Sequence, residues 1–395
     1  MTRPRLRLVT MTAAAVSPLL LVAVPAGAAP QAAPGPVNVR ACSAPTPGHA
    51  ACLALLTSRA KAAVAGPTSG YGPADIKSIY GIDTTRGSGQ TVAIVDAFDD
   101  PHAAADLAAY RSAWKLPACT TGNGCLRKVN ERGGHTAPAP DPGWALEISL
   151  DLDAVSAACP RCKILLVEAD SNSFDDLGTA VNEAVTLGAK IVSNSYGGPE
   201  YNGVLAAQSA YYDHPHVAMV VATGDTGFGP ATFPADATRS IAVGGTTVTK
   251  TGSTWAHSAW DGASSGCSAW MTKPAWQKDA HCLMRTTADI SALADPNTGL
   301  AVYDTYELPL VFGVPDGWIV VGGTSLATPL ISAMIGLAGN PTQLDTAQRI
   351  YAHTGALRDV VGGSNGFCGG DYLCNGVKGY DGPTGNGTPN GLGAL

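Results

Sequence analysis

Charge is scarce in this chain: Asp, Glu, Lys and Arg make up 14% of its 395 residues, and the net charge is −7. A charge-poor, acidic balance excludes the basic face that nucleic acid requires and is repelled by an anionic membrane surface. Long apolar runs are missing beyond the first residues. The early run over 11–24 is broken by Ser17 and Pro18 and is short for a membrane span. No later run reaches spanning length without polar residues, so no membrane partner is expected once the early segment is removed. No internal repeat is present either, which leaves repeat architectures out.

What is present points out of the cell. Arg3, Arg5 and Arg7 form a basic start, the apolar run follows, and Ala26-Gly27-Ala28 offers a small-residue cleavage site. Residues 1–28 therefore read as a signal peptide and the product as secreted and extracellular. Ten cysteines suit that compartment and fall into close neighbours: 42 and 52, 119 and 125, 159 and 162, 267 and 282, 368 and 374. Spacing does not settle connectivity, but an even count in an exported chain favours disulfides, and nearest-neighbour pairing would staple loops. Cys159-Pro160-Arg161-Cys162 could instead be a redox motif, although no thioredoxin-like strand pattern precedes it. Glycine (47) and proline (28) are plentiful but not repetitive, which suggests many tight turns.

Residues 29–70, rich in Ala, Pro and Gly, read as a linker or short pro-segment. From Tyr71 onward strands and helices alternate. Thr91-Val92-Ala93-Ile94-Val95-Asp96, Lys163-Ile164-Leu165-Leu166-Val167, Ile191-Val192-Ser193-Asn194-Ser195 and Val217-Ala218-Met219-Val220-Val221-Ala222 are buried strand patterns. Helical stretches are expected over 101–114, 142–158, 174–187 and 203–214. Such alternation predicts a parallel α/β sheet with helices on both faces. Function gathers at the carboxyl ends of the strands of such sheets, where Asp96, Ser195 and Asp225 fall.

Three motifs carry chemistry. Gly322-Gly323-Thr324-Ser325-Leu326-Ala327-Thr328-Pro329 runs into the apolar stretch 330–337. A small-residue turn at a helix start presents Ser325 beside unpaired N–H groups and a positive dipole end, and Pro329 fits a first turn. The same octapeptide could simply cap a core helix. In the second motif, Asp141 can cap a helix with Pro142 at its first position, which sets Glu147 and Asp151 on one face. In a cleft, two such acids push their pKa values apart, leaving one protonated and one ionised in acid. On a solvated helix they would be two surface acids. The third motif, Val221-Ala222-Thr223-Gly224-Asp225-Thr226-Gly227, ends a strand in a carboxyl that could donate to an oxyanion when protonated, or merely shape a turn.

These blocks resemble the sedolisin-type serine-carboxyl peptidases, a family sharing the subtilisin fold. Tyr71-Gly72-Pro73-Ala74-Asp75-Ile76, Ser193-Asn194-Ser195-Tyr196-Gly197-Gly198, Thr232-Phe233-Pro234-Ala235-Asp236 and Ala242-Val243-Gly244-Gly245-Thr246 carry the likeness in order, over residues 71–395. The resemblance implies a subtilisin-like parallel sheet with disulfide-stapled loops, and an endopeptidase acting on proteins or peptides as a monomer at acidic pH. It makes Ser325 the nucleophile, Glu147 the general base, Asp151 its carboxyl partner and Asp225 the oxyanion-hole acid. It also implies structural calcium held by the side chains of Asp359 and Asp381 and the carbonyls of Val360, Val377 and Gly379, an oxygen set suited to that ion. Two departures stand out. Relatives commonly have glycine where Val377 stands, and they carry a large prodomain where only about forty residues lie between the signal and Tyr71. A rival reading is an Asp/His/Ser protease built on Asp96, His135 and Ser325, but His135 enters Ala137-Pro138-Ala139-Pro140 rather than a helix of small residues. Another is a secreted binding domain without turnover.

Overall fold

Seven strands side by side make the central sheet. They are β1 (Thr91–Ala97), β2 (Leu126–Asn130), β3 (Lys163–Ala169), β4 (Ile191–Asn194), β5 (Ala218–Ala222), β6 (Ser240–Thr251) and β7 (Thr254–Ala259), ordered β7-β6-β5-β4-β1-β3-β2. All neighbours run parallel except β6 and β7. An eighth strand, β8 (Ile290–Leu293), runs parallel to β6 through Val243–Ile290 and Thr246–Leu293. These coordinates are a computed structural model describing residues 1–2, 38–57, 67 and 69–395. The signal-peptide reading lies outside the described residues apart from Met1 and Thr2.

Strands buried on both faces read as unbroken apolar runs, and Val92 to Val95 are fully buried. Two helices fill the space against the sheet and pack on each other: α1 (Pro142–Ala158) and α2 (Thr324–Ala338). Every residue of α1 after Pro142 is buried, so it is apolar almost all round rather than amphipathic. Its start follows from local chemistry. Asp141 Oδ1 accepts from the amides of Gly143 (2.9 Å) and Trp144 (3.0 Å), and Pro142 occupies the first position.

The start of α2 differs from expectation. The helix begins at Thr324, which puts Pro329 in the second turn. A proline there cannot bond the carbonyl four residues back, that of Ser325. The freed oxygen is met by the Ser195 hydroxyl at 3.3 Å. The helix expected over 203–214 is instead a short α-turn, Val204–Ala207, continuing into a wide turn over Gln208–Tyr212. Cysteines pair as nearest neighbours in all five cases, Cys159–Cys162 included.

Residues 38–57 do not form a plain linker. Asn38–Arg40 pairs antiparallel with Leu55–Thr57, which pairs with β10 (Gly317–Gly322), itself paired with β9 (Leu300–Asp304). Ala51–Cys52 pairs antiparallel with the strand Tyr196–Pro199. The segment thus bridges two separate parts of the fold.

Candidate active site

The carboxyl ends of β4 and β5, the middle of α1 and the start of α2 converge. Ser325 is buried in the first turn of α2, and its hydroxyl donates to the Ser195 carbonyl at 3.0 Å. Gly323, immediately before the helix, has φ +104°, a conformation that side chains rarely adopt. A Cβ there would collide with the Leu53 carbonyl oxygen and come within 2.8 Å of Asp225 Oδ2. Glycine therefore lets two oxygens share the space over the turn.

Glu147 reaches this point from α1. Its Oε2 accepts from the Leu53 amide at 2.9 Å, and the Ser325 hydroxyl and the Ala54 amide face the same carboxyl. Its Oε1, fully buried, has no partner. Burial holds the Glu147 carboxyl well above the usual range, and the charge of Asp151 adds to this. Asp151, one turn on, lies 2.8 and 2.9 Å from the Ser195 hydroxyl through its two oxygens. It acts on Glu147 through its charge, while its hydrogen bonds go to Ser195. Burial raises Asp151 as well.

Asp225 closes the opposite side. Its Oδ1 accepts from the Thr324 amide and hydroxyl, both at 2.8 Å, and its Oδ2 is buried without a partner. Burial pushes it up to about 7, against the pull of the two Thr324 bonds. At lower pH Oδ2 bears a proton and becomes a donor. A cavity of about 240 Å³ opens beside it, lined by Leu53, Gly197, Gly198, Gly224, Asp225 and Thr232 among others.

The structure thus brings Ser325, Glu147, Asp151 and Asp225 to one place. Asp96, at the end of β1, is buried against the same cluster, and burial followed by the charges of Asp151, Glu147 and Glu168 raises it well above normal. Both its oxygens lack partners. His135 stands exposed in the loop after β2, whereas Ser325 and Asp96 are sealed inside. Sequence reasoning missed Ser195 as the partner of Asp151. Its position at the end of β4 was the available signal. It also missed Leu53, for which no local signal existed.

At the C-terminal loops, Asp359 accepts the Gly379 amide through both oxygens, at 3.2 and 3.1 Å. Asp381 accepts from Val377 N (3.1 Å) and from the amide (2.9 Å) and hydroxyl (2.8 Å) of Thr384. Burial, with a contribution from Asp359, lifts Asp381 to about 7. Among the described residues, no three His, Cys, Asp or Glu side chains form a metal-holding group. The two-acid, three-carbonyl set is a smaller one.

Such a sheet, with a serine at the start of a buried helix on its carboxyl edge, defines a subtilisin-like serine peptidase. The model of the subtilase family matches residues 140–359, and the chain belongs to that family. It is similar to thermitase of Thermoactinomyces vulgaris, 25% identical over 304 residues, covering 75% of this chain and 91% of thermitase. Among solved structures it shares its fold with Pseudomonas sedolisin, a serine-carboxyl proteinase, in complex with two molecules of pseudo-iodotyrostatin. The TM-score is 0.69 at 23% identity, over 82% of this chain and 96% of that one. The S41 psychrophilic protease has a TM-score of 0.52 at 17% identity, over 83% of this chain and 99% of that one.

Proposed function

We propose that this subtilase is a secreted serine-carboxyl endopeptidase that works in acid. One observation carries the reading: the Ser325 hydroxyl faces the buried Glu147 carboxyl, with a second raised carboxyl, Asp225, across the same turn. Ser325 Oγ attacks the scissile carbonyl carbon as Glu147, in the fraction of molecules where it is ionised, takes its proton, and the oxyanion is met by the proton on Asp225 Oδ2. Glu147 then passes the proton to the leaving amine, the C–N bond breaks, and water resolves the ester by the same route in reverse. Burial raises Asp151 as well as Glu147, and their mutual repulsion leaves at most one of the two charged. The likeness to a serine-carboxyl proteinase supports this assignment over a histidine-based one, as does the exposure of His135.

Peptide hydrolysis followed across pH, for the wild type, Ser325→Ala and His135→Ala, tests the reading. The expected result is activity on the acid side of neutral that vanishes in Ser325→Ala and survives in His135→Ala. Loss in His135→Ala, or wild-type activity confined to neutral pH, overturns it.

Calcium belongs to the same proposal. Asp381 and Asp359 both meet the 377–379 backbone, and the charge of Asp359 adds to the burial that raises Asp381, which suits a divalent cation held with the carbonyls of Val360, Val377 and Gly379. The ion would supply loop stability rather than chemistry. A chelator should lower the Tm of the wild type and leave Asp381→Asn unmoved.

A further inference from the structure

The cleft of this chain is filled by the chain itself. Residues 50–56 are all buried, although the segment enters from the N-terminal side of the fold. Ala50 is held at both backbone atoms by Asn172, its amide to the Asn172 carbonyl at 2.8 Å and its carbonyl to Asn172 Nδ2 at 2.7 Å. Ala51 and Cys52 lie antiparallel on Gly197 and Tyr196, extending the strand that follows Ser195. Leu53 lines the cavity beside Asp225. Leu55 and Leu56 lie antiparallel on Gly322 and Val321, the strand leading into Ser325. Backbone pairing on both sides of a reactive serine is how an extended peptide is gripped.

The register singles out one bond. The Leu53 carbonyl oxygen lies over Gly323, in the space it shares with Asp225 Oδ2, where an oxyanion would form. Glu147, the group that would protonate a leaving amine, accepts the Leu53 amide at 2.9 Å, which brings its carboxyl up to the adjoining Ala54 nitrogen. The Leu53–Ala54 peptide bond therefore sits as a substrate does, with an apolar side chain before the cut and a small one after it.

Both halves of that bond are also tied down. Before it, Cys52 is joined to Cys42 by a disulfide, which closes a ring over residues 42–52, and the Arg40 guanidinium donates to the Asp225 carbonyl at 2.9 Å. After it, Leu55–Thr57 stays paired to Asn38–Arg40, and the Ala41 amide donates to the Ala54 carbonyl at 3.0 Å. Residues 38–42 thus belong to the part before the bond yet hold the part after it. Were Ser325 to attack Leu53 and the C–N bond to break, the Ala54 amine would remain beside the ester. Its effective concentration there is high, so it re-forms the peptide bond before water replaces it.

We propose that residues 38–57 are an intramolecular inhibitor of the peptidase, presenting Leu53–Ala54 to Ser325 and, through the Cys42–Cys52 ring, holding both sides of that bond in place. The proposal rests on the serine-peptidase reading and deepens it. The site takes a Leu-sized apolar residue before the cut and a small residue after it, and its access is set by the ring.

The test compares the full-length wild type with Cys42→Ser/Cys52→Ser in acid, using a peptide that copies residues 50–56 with Cys52 replaced by serine. The expected result is a kcat/KM at least about tenfold higher in the double variant, because the competing segment is no longer held at high effective concentration. N-terminal sequencing of the wild type should find only part of the chain beginning at Ala54. Equal rates in the two proteins overturn the proposal, and so does complete cutting at Leu53–Ala54 accompanied by full activity, which would make the segment an ordinary substrate. Leu53→Arg, which drives a second cation into the cavity beside Arg40, serves if the double variant does not fold, with the same rise expected and equal rates again overturning the proposal. A binding arm separates failure here from failure of the peptidase reading. On the Ser325→Ala background, which needs no chemistry, opening the ring should tighten peptide binding about tenfold. Tighter binding with no turnover by any protein bearing Ser325 would sink the peptidase reading while upholding occupancy of the cleft, and unchanged binding would sink the inhibitor.

Discussion

Asp289 and Asp225 are both sealed inside the fold, but only one has a cation. Arg285, itself fully buried, grips Asp289 with two bonds, Nη1 to Oδ1 at 2.8 Å and Nη2 to Oδ2 at 2.6 Å. The Ala242 amide (2.8 Å) and the Tyr351 hydroxyl (3.0 Å) complete the shell. Asp225 has both its donors on one oxygen and nothing on the other. Arg40 is close to Asp225 but donates to its backbone carbonyl, and its charge pulls on the carboxyl less than the Thr324 bonds do. A bidentate guanidinium makes a buried carboxylate an acceptor that holds structure. An acid left with an open oxygen and no paired cation keeps its proton and can donate it. The fold thus has the means to ionise a buried Asp and does not use them around Ser325, where Glu147, Asp151 and Asp96 are likewise raised without a basic partner.

The largest test of that contrast is Glu147→Gln. The substitution keeps shape and removes only the ability to take a proton. Activity should fall by up to roughly 10⁴-fold, with the Tm unchanged or slightly raised, since burial already disfavours the charged form. A large Tm loss with activity retained would mean that Glu147 is structural. Next in size, Arg285→Met should cost about 3–5 kcal/mol in denaturant unfolding, because it strands the Asp289 charge. Arg285→Met/Asp289→Leu should regain most of that, since an apolar pair needs no solvation. If the double variant is as weak as the single, the pair is not what holds this loop.

How much of this was legible in the sequence depends on how local the cause is. The strands β1, β3, β4 and β5 announce themselves as β-branched runs because both their faces are covered. Helix α1 begins where Asp141 and Pro142 say it must. The disulfides match the nearest-neighbour pairing that the spacing made available without settling. Glu147, Asp151, Asp225 and Ser325 could be picked out because each sits at a helix start, on a helix face or at a strand end whose chemistry is local. Ser195 was placed at a strand end, but its partners, Asp151 and the Ser325 carbonyl freed by Pro329, lie far away in the chain and only the fold brings them to it. Residues 51–57 escaped for a stronger reason. Ala-Cys-Leu-Ala-Leu-Leu-Thr has no decisive period, and its strand character comes from partners at 196–197 and 321–322 that only the fold supplies.

A smaller effect should appear in stability against pH. Asp225 is raised from the usual carboxylate range to about 7, so the folded chain binds more protons than the unfolded chain between about pH 4 and 7. The slope of unfolding free energy with pH is then negative across that window. The contribution is fully present below about pH 4 and lost as pH climbs through 7, on the order of 2–4 kcal/mol for this group. Asp381, also raised to about 7, adds in the same direction when no cation is bound. Thermal unfolding in the presence of chelator should show the decline. A chain whose Tm rises from pH 4 to 7 would mean that Asp225 is held as a carboxylate after all.

The smallest effect isolates the proton on Asp225. Asparagine offers an N–H donor at the same place without needing to be protonated, so Asp225→Asn should lose less than about tenfold in kcat at acid pH. The wild type loses its donor as pH rises through about 7, while the asparagine variant does not. The ratio of variant to wild-type kcat should therefore climb across that pH, whatever the ionisation of Glu147 does to both. A ratio that stays flat would leave Asp225 as a brace for Thr324, held through its two bonds to Oδ1, with the open oxygen playing no part in the chemistry. A rising ratio is what separates it from Asp289, whose oxygens are all taken and whose replacement should change folding and not the pH profile.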